Sequence, residues 1–328
     1  MRAESLEVPG AHGDWEHVNG RVLVIGAGFI GAHVARDLVD AGMLTTVLTA
    51  SPPALELVET LDGARLLIGD AGDVEVLDEA LLEVEHVVWC AGGLLPAEAN
   101  LDPVTHVMVT HRPLLVTLEA LRRRPGVGIT YFSSGGTVYG NPPRLPVTED
   151  HPTLPLSMHG ITSLAGESYL RRYREIYGVP TLALRCSNVY GPGQPGNRSQ
   201  GLVAAALESI RGARELPVFG DGGALRDYIH VGDVVATLRR LVGRPAVPPV
   251  LNLGSGEGHT VQEVVGLVED VTGESVAARY LPVRVGDVAR IVLDVSLLRS
   301  LVPFQPRSLR CGIVETWQTL AREGVGQR

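Results

Sequence analysis

The sequence predicts an α/β protein, a doubly wound parallel sheet with a smaller lobe interleaved toward its C-terminal end. Three observations carry that reading: short runs apolar at every position, helical spacing after most of those runs, and a glycine cluster joining the first run to the first helix. A strand that is apolar on both faces is buried on both, as in a parallel sheet covered by helices on either side.

The elements follow in order. Arg21-Val22-Leu23-Val24-Ile25 reads as the first strand, and Phe29–Ala41 as a helix that stops at Gly42. The alternation repeats with a strand at Thr45–Leu48, a helix at Ala54–Leu61, a strand at Arg65–Ile68, a helix at Val74–Leu82 and a strand at His86–Cys90. Helical spacing returns over Pro113–Leu121, where Arg122-Arg123-Arg124 before Pro125-Gly126 reads as a solvated helix C-terminus. A strand at Val127–Phe132, a helix at Leu164–Tyr177 and a strand at Thr181–Arg185 continue the pattern. After Tyr190 the texture changes to the loop Gly191-Pro192-Gly193-Gln194-Pro195-Gly196-Asn197, and Val250–Leu253 reads as one more core strand.

Composition bounds the function. A chain of 328 residues, 45% apolar, buries a sizeable core. Its net charge of -9, pI near 5.6 and scattered arginines exclude a nucleic-acid or membrane-surface partner, which needs a positive face. All 28 basic residues are arginine; there is no lysine. Cys90, Cys186 and Cys311 are too widely spaced for a disulfide framework or a metal site. The first twenty residues carry Glu4, Glu7, Asp14 and Glu16 without an apolar block, which excludes a secretory signal, and no run approaches a membrane span. A cytoplasmic protein is expected.

Gly26-Ala27-Gly28-Phe29-Ile30-Gly31 lies between the first strand and the first helix, the context that a dinucleotide fingerprint requires. The glycines permit a tight turn, and the pyrophosphate then sits on the helix N-terminus. A Rossmann-type domain over 21–189 and 225–255 is expected, with an N-terminal extension over 1–20 and a substrate lobe over 190–224 and 256–328. Where an acidic residue would hold the ribose of NAD, the chain has Thr49-Ala50-Ser51, so NADP is expected and NAD admitted. Asp70 after the third strand is placed to contact the adenine. Cys90-Ala91-Gly92-Gly93 lets the backbone approach the cofactor at the fourth strand.

Further motifs are Phe132-Ser133-Ser134-Gly135-Gly136-Thr137-Val138-Tyr139-Gly140, Leu184-Arg185-Cys186-Ser187-Asn188-Val189-Tyr190-Gly191, Arg226-Asp227-Tyr228-Ile229-His230-Val231 and Asn252-Leu253-Gly254-Ser255-Gly256. With the glycine turn, they make the chain from Arg21 to about Leu320 resemble the extended short-chain dehydrogenase/reductases, in their NAD-dependent epimerase/dehydratase branch acting on nucleotide sugars. The resemblance implies that Asn188, Arg226 and Arg284 bind the diphosphate of a sugar nucleotide, a role that suits an arginine fork. It also allows a homodimer formed through two helices.

The same resemblance exposes a loss. Such enzymes act through a serine or threonine, a tyrosine, a lysine and a helix asparagine; the matching positions here are Gly135, His159, Ser163 and about Thr110. Histidine, with an unperturbed pKa of ~6.5, suits acid-base work without a lysine beside it. His159 is therefore the candidate proton-transfer residue, and Ser134, Thr137 and Tyr139, with Ser133, are candidate donors to a substrate carbonyl. The Asp-Glu pair of 4,6-dehydratases is replaced by Gly136-Thr137, which removes the acid for water elimination. Epimerisation needs one group to take and return a proton, whereas one-way reduction needs only orientation and a proton source.

The expectation is an atypical NAD(P)H-dependent ketoreductase of a nucleotide-activated keto-deoxy sugar, as used in antibiotic biosynthesis, with His159, water or the substrate supplying the proton. The alternatives are a ketoreductase of a polyketide or aromatic product, a nucleotide-sugar epimerase, and a pseudoenzyme that only binds cofactor. No metal is expected.

Overall fold

The computed structural model describes residues 20–92, 96–196, 201–244 and 247–325. Residues 1–19 of the extension expected over 1–20, Gly93 and Asn197 lie outside the described residues. In chain order the strands are β1 (Arg21–Ile25), β2 (Leu44–Thr49), β3 (Arg65–Ile68), β4 (His86–Trp89), β5 (Gly128–Ser134), β6 (Thr181–Cys186), β7 (Asn188–Tyr190), β8 (Leu216–Phe219), β9 (Leu225–His230), β10 (Val250–Leu253), β11 (Gly258–Thr260) and β12 (Ala278–Leu281). The helices are α1 (Phe29–Asp40), α2 (Leu55–Val58), α3 (Val74–Ala80), α4 (Pro96–Leu101), α5 (Pro103–Arg122), α6 (Met158–Tyr177), α7 (Leu202–Arg211), α8 (Val231–Leu241), α9 (Val261–Thr272), α10 (Ser296–Leu301) and α11 (Leu309–Val325).

Seven strands form one parallel sheet in the order β3-β2-β1-β4-β5-β6-β10. The expected doubly wound sheet is present. Both faces of each inner strand are buried because neighbouring side chains enter different cores. Val22 and Val24 pack with α1, α8 and α10, while Leu23 and Ile25 pack with α3, α5 and α6. A three-stranded sheet, β11-β9-β7, and the parallel pair β12-β8 pack with α7, α9 and α11 around Tyr190, Tyr228, Val264 and Ile313.

Local signals explain the helix boundaries, including two that the hydrophobic spacing places too late. The helix expected at Pro113–Leu121 begins instead at Pro103, capped by Asp102, whose carboxylate accepts from the Thr105 N–H at 3.0 Å. Pro113 lies inside it. The helix expected at Leu164–Tyr177 begins at Met158, where the Ser157 hydroxyl accepts from the Gly160 N–H at 3.2 Å. This cap fixes His159 and Ser163 in the first two turns of α6.

A buried polar network crosses the sheet beneath the C-terminal strand ends. The register aligns Ser133 with Arg185 and Arg185 with Asn252 across β5, β6 and β10. Arg185 holds Glu167 of α6 with Nε at 3.0 Å from Oε1 and Nη2 at 2.7 Å from Oε2. Both side chains are at least nine-tenths buried. The Arg185 Nη1 donates to the Tyr139 hydroxyl at 2.8 Å and to the Glu149 carbonyl at 3.1 Å. Tyr139 in turn donates to Asn252 at 2.7 Å, and the Ser133 hydroxyl donates to Glu167 at 2.5 Å.

Removing one member of a buried ion pair strands its partner in a low-dielectric interior. Glu167→Ala should therefore lower stability by about 3–5 kcal/mol, whereas the double change Glu167→Leu with Arg185→Met should cost less than Glu167→Ala alone. Urea unfolding midpoints of the variants decide this; a loss under about 1 kcal/mol for Glu167→Ala would contradict it.

Candidate functional site

The strand order reverses at β1, which sits between β2 and β4, and such a crevice is where doubly wound sheets bind ligands. The glycines there have separate jobs. Gly26 has φ +103°, and a Cβ on it would lie 2.7 Å from the Ala91 nitrogen, so it permits the exits of β1 and β4 to touch. A Cβ on Gly31 would stand 1.9 Å from the Gly26 carbonyl oxygen, so this glycine sets the helix against the strand. Gly28 is the N-cap of α1, and a Cβ there would meet nothing within 4 Å.

No side chain caps α1, and its first turn carries no acidic residue. Its first N–H groups, at the positive end of a 12-residue helix, stand beside the open Gly28. Phe29 and Ile30 are half-buried beside this turn, and Gly92 at the exit of β4 is likewise unobstructed. These residues fit a dinucleotide pyrophosphate: the turn is open where the group approaches and closed where strand meets helix.

The Thr49 hydroxyl donates to the Ser51 carbonyl at 3.0 Å, and Ala50 and Ser51 are exposed. Asp70 accepts from the Gly72 N–H at 2.7 Å and pairs with Arg112 of α5 at 3.4 Å, so it forms a turn while remaining at the exit of β3. Arg112 also donates to the Gly72 carbonyl at 3.0 Å. Sequence reading missed this arginine because it comes from a helix more than forty residues away.

At the exit of β5 the structure redistributes the expected roles. A Cβ on Gly135 would lie 2.7 Å from both the Arg185 carbonyl oxygen and Leu293 Cδ1, so no side chain at this position reaches the cleft. The hydroxyl available at this exit is that of Ser134, which accepts from the Thr137 hydroxyl at 2.8 Å. Tyr139, expected to face a substrate carbonyl, does not. It is 1% exposed, its hydroxyl is committed to Arg185 and Asn252, and burial pushes its phenol up to about 12. Ser133 is likewise withdrawn, bonded to Glu167.

α6 brings His159 to the same place. A Cβ on Gly160 would stand 3.0 Å from the Thr137 carbonyl oxygen, so the first turn of α6 abuts the Ser134–Thr137 turn. His159 is half-buried. Burial pushes its imidazole down to about 4, and His106 adds repulsion in the same direction, so the ordinary value of ~6.5 expected from sequence does not hold. The Ser163 hydroxyl donates to the His159 carbonyl at 2.8 Å, so nothing in the lysine slot reaches outward. Thr110, in the asparagine slot, donates to the His106 carbonyl at 2.6 Å.

Asn188, Arg226 and Arg284 lie toward the second lobe. Asn188 donates to the Asp227 carbonyl at 3.0 Å, and a Cβ on Gly136 would stand 3.8 Å from its amide. Arg226 does not pair with Asp227, whose carboxylate instead accepts from Ser255, Gly256 and Leu293. Its guanidinium bonds the carbonyls of Leu225, Val288 and Ala289. Burial lowers its pKa, with the charge of Arg284 acting in the same direction. Arg284 pairs with Asp287 at 3.1 Å and lies 4.1 Å over the ring of Phe219.

Residues 22–254 match the family described as the NAD dependent epimerase/dehydratase family. A UDP-glucose 4-epimerase of Azospirillum brasilense is 33% identical, covering 94% of either chain. A dTDP-4-dehydro-6-deoxy-D-allose reductase of Streptomyces bikiniensis is 30% identical over 90% of this chain and 94% of its own. Among solved structures, the Thermus thermophilus UDP-glucose 4-epimerase in complex with NAD superposes with a TM-score of 0.85 at 31% identity, over 92% of this chain and 99% of that one.

The two glycines separate affinity from folding. Gly28→Ala should keep the melting temperature within a few degrees but weaken NAD(P)H binding about tenfold, near 1.4 kcal/mol. Gly31→Ala should lose both. Thermal melts beside cofactor titrations by calorimetry test this, and unchanged affinity in Gly28→Ala would place the pyrophosphate elsewhere.

Proposed function

The chain belongs to the NAD-dependent epimerase/dehydratase family, and we propose that within it this protein is a ketoreductase of a nucleotide-activated keto-deoxy sugar. When bound, the reduced nicotinamide would supply the hydride for the ketone carbon, and the protein's part would be to orient the ketone and direct one proton to its oxygen. The observation that carries this reading is the state of the α6 slots. A neutral histidine and a serine tied to its own helix replace the pair that reversible proton exchange requires, while the cofactor turn and the two arginines remain. The reductase named among the relatives supports it.

The residues divide the work. The open turn at Gly26, Gly28, Phe29, Ile30 and Gly31, with Ala91 and Gly92, holds the dinucleotide, and Asp70 and Thr49–Ser51 meet its adenosine. The cofactor is NADPH, with NADH admitted, because the exit of β2 ends in Thr49-Ala50-Ser51 without a carboxylate. Arg226 and Arg284 take the diphosphate with Asn188, as an arginine fork suits phosphate oxygens. Ser134, whose oxygen accepts from Thr137, donates to the ketone oxygen, and His159 supplies the proton. The enzyme works in the cytoplasm; no described helix is long and apolar enough to cross a membrane. A second copy of the chain covers the apolar surface of α5 and α6, where Val104, Met108 and Ile161 are exposed. Met108→Glu should accordingly sediment as a monomer where the wild type sediments as a dimer.

A second reading, reversible epimerisation of a nucleotide sugar, is favoured by the several relatives named as UDP-glucose 4-epimerases. The two differ in stoichiometry: reduction consumes one reduced cofactor per product, and epimerisation consumes none.

With a ring pKa of about 4, only about one His159 in a thousand is imidazolium at pH 7, and that fraction rises tenfold for each unit of acid. The folded-state value lies below the unfolded one of ~6.5, so stability contributed by the neutral ring is lost as the pH falls from about 6.5 toward 4. Rates are therefore compared between pH 5 and 8. Single-turnover reduction of dTDP-4-keto-6-deoxyglucose should quicken as the pH falls, and His159→Phe should be slower by about 10²–10⁴-fold and lose that dependence. A His159→Phe variant as fast as the wild type at every pH would assign the proton to water or substrate. No reduction on a panel of keto nucleotide sugars would sink the reading itself.

A further inference from the structure

Three histidines line the contact between α5 and α6 where sequence comparison sees only lost residues. His106 is fully buried, with Nε2 2.9 Å from the Thr162 hydroxyl. Its ring centroid lies 6.2 Å from that of His159. His111, one turn further along α5, packs edge-on to Tyr169 at 5.4 Å.

Hydrogen-bond geometry around Thr162 favours one tautomer of His106. Thr162 has a single hydroxyl proton, and its oxygen lies 3.0 Å from the carbonyl oxygens of both Met158 and His159, which only accept. That proton is directed to the backbone of α6. The contact with His106 is then an Nε2–H donated to Thr162, which leaves the neutral ring protonated on Nε2. The same carbonyl of His159 also receives the Ser163 hydroxyl, and the carbonyl of His106 receives that of Thr110. One chain of bonds thus runs from the asparagine slot through His106 and Thr162 to the turn bearing His159 and Ser163.

We propose that His106 is a positioning residue for His159: through Thr162 it holds the first turn of α6 in register with the Ser134–Thr137 turn. The kinetic part of this rests on His159 acting in the proposed reduction; the structural part does not. Asn100 of α4 also accepts from the Met158 N–H at 2.9 Å, so the same turn is held from a second side.

The test uses the full chain with ¹⁵N-labelled histidine and the variants His106→Gln, His106→Leu and Thr162→Val. Glutamine can still donate to Thr162, whereas leucine cannot. Long-range ¹H–¹⁵N spectra should show one Nε2–H tautomer that is unchanged from pH 8 to pH 5 and absent from His106→Gln. In single turnovers, His106→Leu and Thr162→Val should each slow hydride transfer about tenfold with cofactor affinity within twofold, and His106→Gln should recover at least a third of the rate. An Nδ1–H tautomer at His106 or a His106→Leu rate equal to wild type overturns the proposal. If His106→Leu does not fold, Thr162→Val and His106→Gln decide it. If no keto nucleotide sugar is reduced at all, the functional reading fails while the spectroscopic result still stands or falls on its own.

Discussion

A guanidinium and a carboxylate enclosed together, Arg185 and Glu167, tie β6 to α6, and the position of every group on the cleft side of that helix follows from them. Taking both charges out of water is costly, and a buried pair is weak support for stability as such. What the pair fixes is register. Glu167 is matched in two directions, by Arg185 and by the Ser133 hydroxyl at the end of β5. A slip of α6 by one residue would break both. Because neighbouring residues on a strand face opposite sides, Ser133 pointing into the network leaves Ser134 pointing away from it, beside Thr137. Arg185 then reaches Tyr139 and the Glu149 carbonyl, which pins the turn that follows Thr137.

The same network explains why so much of the fold was legible in the chain and part of the site was not. Strands apolar on both faces announce a parallel sheet wherever they occur, and Val22 to Ile25 do enter two different cores. The glycine turn was equally legible, since a 1.9 Å approach at Gly31 leaves no alternative residue. Tyr139 misled because a tyrosine beside serines reads alike whether it faces a cleft or a core. Only the register of β10 against β6, which brings Asn252 alongside Arg185, shows that the phenol is captured. Gly135 misled in the other direction: spacing alone assigns it a lost hydroxyl, while packing against Arg185 and Leu293 shows that the position has no access to lose it from.

Helix starts were a further blind spot, with a consequence for the site. Hydrophobic spacing places α5 at Pro113 because residues 104–112 are β-branched and histidine-rich rather than good helix formers. Asp102 and Pro103 carry the true signal, a cap followed by proline at the first position. The ten residues recovered by reading that cap include His106, Thr110 and Arg112, all of which touch the candidate site. A side chain contributed by a neighbouring helix has no spacing relative to the residue it serves, so no pattern along the chain announces His106 beside His159.

The absence of lysine then acquires a physical meaning. In a site that works through a phenol, a lysine charge is needed to bring a group with an intrinsic pKa of ~10 into range. An imidazole starts below neutrality, so a cation beside it would only drive it further down. Ser163, turned back on the His159 carbonyl, brings no charge and stiffens the turn instead. What the pocket lacks is an easily protonated donor, because burial and His106 both oppose the imidazolium. Such a site favours chemistry in which hydride transfer makes the oxygen strongly basic before the proton arrives. The scarce imidazolium of a ring with pKa of about 4 is also a strong acid, and scarcity and strength offset one another in the rate. Reduction in one direction tolerates that compromise, whereas a reaction that must take the same proton back from a neutral alcohol does not.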